Sequence, residues 1–286
     1  MTNFSLVCPI KDEVALIPKT LPSFYEINPS EVIFCFDDPP HEQSLRLVHR
    51  IASCYPSILT KTIFVDRNHD YAFHQAWVRR KGFLEATYDR ILTTDVDLVL
   101  NKNVLKAVEL VGKSNIGLVS CQKFGYPQNL MAFCRLMGQS FLKKMVYPLW
   151  HRHRGRGLQM TTFTGLYAFW RPYWLDSEDE AIKQLVNPKT PLRKGDEKIS
   201  SHYKVCLGED TYLRNCMEKE HLCAYLPDIG GLCLTNPLEY HPHIQFERGR
   251  YYANHGRNIF GAIVTTTMHI QPNYIKGYLY EKTRKQ

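Results

Sequence analysis

Arg90-Ile91-Leu92-Thr93-Thr94-Asp95-Val96-Asp97-Leu98-Val99-Leu100 decides how this chain is read. An apolar run ends in two acids one residue apart, and a second apolar run follows, so the acids do not belong to a freely solvated loop. Side chains at i and i+2 of an extended backbone point the same way. Asp95 and Asp97 can therefore share one cation, or divide the work between a metal and a ribose. Oxygen donors of this kind favour magnesium or manganese over zinc.

Working back from that stretch, strand-like and helix-like patterns alternate. Phe4 to Cys8 is an apolar run closed by Pro9, and Glu31 to Phe36 is another, closed by Asp37-Asp38-Pro39-Pro40. Both predict buried strands that end in loops. Glu13 to Tyr25 predicts a short helix shortened or kinked by Pro18 and Pro22. Gln43 to Tyr55 repeats Leu45, Val48, Ile51 and Ala52 at helical spacing. Thr62 to Val65 predicts a third strand and Phe73 to Thr87 a helix. The alternation implies a parallel sheet with crossover helices, whose ligands lie beyond the carboxyl ends of the strands. Lys11, Asp12 and Glu13, Asp37 with Asp38, and Asp95 with Asp97 are then expected around one crevice.

Working forward, Ile116 to Ser120 and Phe163 to Phe169 predict strands. Met131 to Tyr147, Trp174 to Leu185 and Glu209 to Lys219 predict helices, and Asn187 to Ser201 an exposed loop.

The chain has 286 residues, 44% of them hydrophobic, and a formal net charge of +8. Such a composition fits a globular fold and excludes collagenous, repetitive and disordered classes. The positive excess is uneven, because no acid occurs between Glu109 and Asp176. A basic region of this kind attracts phosphate groups in general. The nine cysteines form no Cys-x-x-Cys pair, which argues against zinc and disulfide frameworks and suits a reducing, cytoplasmic setting. Met1 to Leu6 lacks the pattern of a leader, and no apolar run reaches the length of a membrane span, which leaves only peripheral membrane contact open.

Two later motifs can carry chemistry. Gly208-Glu209-Asp210 precedes a helix-like segment. A carboxylate there caps the helix or, beside a cleft, serves as a general base. His241-Pro242-His243 offers two imidazoles at i and i+2, either structural or directed at a metal or phosphate.

Taken in order, these motifs resemble inverting nucleotide-sugar glycosyltransferases of the GT-A fold, particularly the family-2 group. Pro9-Ile10-Lys11-Asp12-Glu13 resembles the opening strand end of that family. Asp37-Asp38 resembles its base-contacting pair, Ala76, Arg79, Gly82 and Ala86 its donor-side helix, and Thr94-Asp95-Val96-Asp97 its metal-binding triplet. Gly165 with Arg171 is similar to its acceptor-side glycine strand, and Gly208-Glu209-Asp210 with Leu213 and Arg214 to its catalytic segment.

The resemblance implies a GT-A-like (Rossmann-like) α/β fold: a central, mostly parallel sheet flanked by helices, in one globular domain with a C-terminal extension. Residues 1–125 would form the nucleotide-sugar half, 126–235 the acceptor and catalytic half, and 236–286 the extension. It also implies a UDP- or GDP-sugar donor, Mn2+ or Mg2+ as cofactor, and Asp210 as base with Glu209 beside it. Donor contacts would come from Pro9, Lys11, Glu13, Asp37, Asp38, Arg79, Asp95, Arg248 and Arg250. Metal contacts would come from Asp97 and Asp95, with His243 or His241 completing the site. The acceptor could be a glycan, a lipid-linked group or a protein, and no nucleic acid is implied. No Gln-x-x-Arg-Trp follows the Glu-Asp segment, which argues against a processive synthase.

Two other classes compete. A haloacid-dehalogenase-like phosphohydrolase would use Asp95 as nucleophile and Asp97 as acid, but that fold places the pair after its first strand. A non-enzymatic protein binding polyanions or a membrane surface would rest on the acid-free stretch, with salt-sensitive affinity.

Overall fold

The computed structural model describes residues 2–68, 74–125, 165–176, 217, 220–234, 246, 250, 253, 259, 262, 263, 266 and 272–283. The chain divides into two compact units. The first comprises Met1–Phe124, Leu158–Lys189 and Ser200–Leu234; the second comprises Gly125–Gly157, Thr190–Ile199 and Thr235–Gln286.

The first unit is built on an eight-stranded sheet in the order β3-β2-β1-β4-β7-β6-β8-β5. Its opening half alternates as the sequence predicts: β1 (Ser5–Ile10), α1 (Ile17–Glu26), β2 (Glu31–Asp37), α2 (Glu42–Ala52), β3 (Leu59–Val65), α3 (His74–Glu85) and β4 (Arg90–Thr93). These four strands pair in parallel. The remaining pairs described, β4 with β7 (Tyr167–Trp170), β7 with β6 (Ile116–Gly125), and β5 (Leu98–Leu100) with β8 (Leu222–Cys233), are antiparallel.

Strand periodicity separates the core into two layers. Leu6, Cys8 and Ile10 of β1, with Val32, Phe34 and Phe36 of β2, face α1 and α2 through Ile17, Leu21, Phe24 and Val48. The alternate residues Val7, Ile33 and Cys35 face α3 through Val78 and Phe83, with Ala86 just beyond its end. Successive strand residues point to opposite faces, so an apolar run without polar interruption is covered on both sides.

Pro18 falls in the first turn of α1, where its missing N–H has no helical partner to lose, and Pro22 lies inside the helix. Fixed to the sheet by Ile17, Leu21 and Phe24, the helix still runs to Glu26. Lys102–Val104 forms a 3-10 turn leading into the short α4 (Leu105–Leu110).

Residues 171–176 are helical, so the helix expected from Trp174 has already begun at Arg171, and its expected continuation over 177–185 lies outside the described residues. The predicted helix at 131–147 and loop at 187–201 lie outside the described residues. In the second unit, α5 (Pro272–Thr283) packs Tyr274 and Tyr278 against Ala253 and Ala262. Among the described residues no helix is long and apolar enough to cross a membrane.

Candidate functional site

The chain runs outward from β1 to β2 to β3, then crosses back to the other side of β1 as β4. α1 and α2 cover one face and α3 the other. The point between β1 and β4, where the direction of winding reverses, is where the carboxyl ends of parallel strands leave a crevice. Val7 is in register with Thr93, and Thr94 N–H donates to the Val7 carbonyl at 3.1 Å. Asp95 is the next residue.

Past Thr93 the backbone does not stay extended, as the triplet alone suggests. Leu98 N–H donates to the Asp95 carbonyl at 3.3 Å, closing a turn that buries Val96 in the core. The two acids consequently meet different partners. Asp95 is gripped by Arg79 at Oδ1 and by Lys123 at Oδ2. Asp97 Oδ2 accepts from the Cys233 thiol at 3.3 Å, and Leu234 N–H donates to the Asp97 carbonyl at 2.9 Å. One acid is thus tied to α3 and β6, the other to β8.

Arg79 reaches Asp95 because of how closely α3 lies on the sheet. A Cβ at Gly82 would come within 2.5 Å of Cys35 Sγ and of Val7 Cγ1, so glycine sets the approach. One turn earlier on the same face, Arg79 is fully buried, and its Nη1 donates to Thr93 Oγ1 at 2.8 Å. Gly165 opens the other side. A methyl group there would overlap the Asp95 carboxylate and lie 2.9 Å from Lys123 Nζ.

Burial opposes ionisation of Asp95, but the charges of Arg79 and Lys123 outweigh it and hold its pKa below the ordinary carboxylate value. Burial likewise opposes the charge of Lys123, and Asp95, with a smaller contribution from Asp97, holds that ammonium above the usual lysine value. The pair stays ionised at neutral pH.

At the ends of β2 and β3 lies a second polar group. Asp37 Oδ1 pairs with His74 Nε2 at 3.1 Å. Asp38, exposed, donates its backbone N–H to the Val65 carbonyl at 3.1 Å, and a hydrogen bond to the Asp66 carboxyl together with its charge raises the Asp38 pKa. At the end of β1, Pro9 pairs in register with Cys35, and Lys11 N–H donates to Glu13 Oε2 at 2.8 Å. Arg250 belongs to the second unit, where its Nε donates to Glu281 Oε2 at 2.9 Å and its guanidinium lies over the Tyr280 ring. Asp210, Glu209, Arg248, His241 and His243 lie outside the described residues.

Sequence reading missed Lys123 as a partner of Asp95, His74 and Asp66 beside the Asp37-Asp38 pair, and Cys233 behind Asp97. Asp66 carried a signal, since it directly follows the β3 run, as Asp37 follows the apolar run of β2. Lys123 carried a weaker one at the end of the apolar run opened by Ile116.

Among the described residues no three His, Cys, Asp or Glu side chains gather into a metal cage. Asp95 is already shared between two cations, which leaves Asp97 as the carboxylate for a metal. Magnesium and manganese commonly take one or two carboxylates and complete their shell with phosphate oxygens and water. The residues present fit a cation held in that way, chiefly through a bound diphosphate.

No family profile matches the chain, and no curated protein matches it. Its fold does match solved structures. A mannosyltransferase from Pyrobaculum calidifontis, in complex with GDP-Man and Mn2+, aligns over 98% of this chain and 72% of its own, with a TM-score of 0.57 and 16% identity. TarS 1-349 of S. aureus in complex with UDP-GlcNAc aligns over 99% and 74%, with a TM-score of 0.52 and 15% identity. The same TarS fragment in complex with UDP aligns over 100% and 92%, with a TM-score of 0.52 and 12% identity. The chain therefore has the GT-A-like fold of nucleotide-sugar glycosyltransferases.

Proposed function

We propose that this protein transfers a sugar from a UDP- or GDP-sugar to an acceptor hydroxyl with inversion at the anomeric carbon. The observation that carries the reading is the Asp95/Asp97 turn at the point where the winding reverses, with Asp95 fixed by Arg79 and Lys123 and Asp97 held by β8. The shared fold adds support.

On this reading the donor half is residues 1–125. Asp37 and Asp38 take the base side, Pro9, Lys11 and Glu13 line the end of β1, and Asp95 serves the ribose. Asp97 is the principal protein ligand of a manganese or magnesium ion, with His241 or His243 as a further ligand. When bound, the cation would stabilise the negative charge that develops on the leaving diphosphate. Arg248 and Arg250 of the C-terminal extension are assigned to the diphosphate.

The acceptor half is residues 126–235. Asp210, preceded by Glu209, removes the proton from the acceptor hydroxyl as its oxygen attacks C1 opposite the leaving group. A single displacement inverts the centre and needs no covalent intermediate. The acceptor is a glycan, a lipid-linked group or a protein. A cytoplasmic site of action, with the basic acid-free stretch meeting a phosphate-bearing surface, completes the proposal.

The test is incubation with a panel of UDP- and GDP-sugars, with and without Mn2+, while free nucleoside diphosphate is quantified and product stereochemistry is read by NMR. Metal-dependent release of diphosphate from one donor, abolished in Asp97→Ala, supports the reading. Release of phosphate from a generic phosphomonoester, with no sugar nucleotide consumed, would replace it with a phosphohydrolase.

A further inference from the structure

Asp95 is bonded by more positive charge than it needs. Arg79, fully buried and anchored on Thr93, supplies one full counter-charge at Oδ1. Lys123 supplies a second at Oδ2. A carboxylate needs one such partner for neutrality, so the cluster of Arg79, Lys123 and Asp95 carries a surplus of one positive charge. The two cations differ in access: the Arg79 side chain is 0% exposed, whereas those of Lys123 and Asp95 are 26% and 24% exposed.

The chain also makes room for the second cation. Lys123 lies near the end of β6, and its ammonium reaches Asp95 across Gly165, where any Cβ would overlap the carboxylate and crowd Nζ. An ammonium has three N–H donors, and among the described residues Asp95 is its one bonded partner. Two donors that no described residue engages can then meet an anion entering from the exposed side.

We infer that Lys123 binds the donor diphosphate directly, as a built-in cation beside the Asp95/Asp97 turn. The inference rests on the donor-site reading above and adds a residue to it. Two carboxylates at this turn would repel an incoming diphosphate. Arg79 cancels one of these charges and Lys123 the other, so among the described residues at this turn the charges balance and the solvent-reachable positive group is Lys123. Part of the diphosphate affinity then belongs to the protein itself and persists without a divalent cation.

The experiment compares UDP and GDP with uridine and guanosine, in EDTA and in Mn2+, by calorimetry and ligand-observed NMR. Wild type, Lys123→Gln and Lys123→Arg are measured side by side. For loss of one charge-assisted hydrogen bond, Lys123→Gln should weaken diphosphate binding about tenfold or more in both conditions, and nucleoside binding by less than about twofold. Lys123→Arg should keep most of the affinity. A misfolded variant would lose nucleoside and diphosphate alike, so the ratio of the two is the deciding quantity. An unchanged ratio in a Lys123→Gln protein that still binds uridine or guanosine as wild type does would overturn the inference and leave Lys123 as a brace for Asp95. If the wild-type protein binds neither nucleotide with or without Mn2+, the donor-site reading fails and takes this inference with it.

Discussion

The Cys233 thiol donates to Asp97 Oδ2 at 3.3 Å, so a strand 136 residues further along the chain sets the orientation of the second acid. Cys233 is in register with Leu98, and the Leu234 N–H bond to the Asp97 carbonyl fixes the backbone beside it. Residues behind a metal-binding carboxylate typically matter by about ten- to a hundredfold in metal affinity.

On the donor-site reading, Cys233→Ala should weaken Mn2+ binding about tenfold, while Cys233→Ser, which keeps a donor in place, should lose far less. Electron paramagnetic resonance of free manganese, titrated in the presence of UDP or GDP, reads this without any turnover. Equal affinities in all three proteins would show that the thiol merely fills space.

Gly165→Ala tests the room around Asp95. The added methyl cannot be accommodated unless the carboxylate and Lys123 Nζ move apart. Overpacking of this kind costs about 1–3 kcal/mol. Here it should also lower nucleoside diphosphate affinity, because the displaced pair borders the proposed donor crevice. Urea denaturation gives the first quantity and calorimetry the second. A variant as stable as wild type would mean that the loop before β7 yields freely.

Much of this arrangement is legible in the sequence because of one physical circumstance. β1, β2 and β4 are covered on both faces, so their apolar residues run without polar interruption, and the polar residues that follow mark the strand ends. β8 hides for the opposite reason. Leu222–Cys233 contains Pro227, Asp228, Gly230 and Gly231, which locally read as a loop. Gly230 is there because a Cβ would overlap the Gln122 carbonyl of β6, a requirement set by a neighbour more than a hundred residues away. The Asp95/Asp97 turn is similar. The triplet announces two acids, but their division between Arg79 with Lys123 on one side and Cys233 on the other depends on contacts that local pattern does not encode.

Arg79 should be coupled to Asp95 beyond its packing. Arg79→Met removes a fully buried guanidinium that serves Thr93 and Asp95 at once. Breaking a buried pair from one side typically costs about 3–5 kcal/mol, and since Lys123 still neutralises Asp95 the lower end applies. In a double-mutant cycle with Asp95→Asn, residues that share an ion pair should show a coupling of about 1 kcal/mol or more. Additive losses in urea unfolding would contradict the pairing.

Glu31 provides the corresponding test at the opposite end of the parallel strands. Its buried carboxylate accepts from Ser5 Oγ at 2.6 Å, Thr87 N–H at 2.9 Å and Thr87 Oγ1 at 2.7 Å, and pairs with Lys61 Nζ at 2.5 Å. Burial opposes its ionisation, yet Lys61, Ser5 and Thr87 together hold its pKa below the ordinary glutamate value. A carboxylate with a depressed folded-state pKa contributes stability that is complete above the unfolded value of about 4.3 and is lost as the pH falls through the folded one. Glu31→Gln should cost about 2–4 kcal/mol at neutral pH, because it removes the charge and turns a donor toward donors. The penalty should shrink on acidification from about pH 5 downward, as the wild-type carboxylate takes up its proton. Urea midpoints of both proteins between about pH 7 and pH 3 give the comparison. A difference that stays constant across that range would show that Glu31 contributes through shape alone, and its three partner residues would then be ordering the β1 and β2 strand starts without help from its charge.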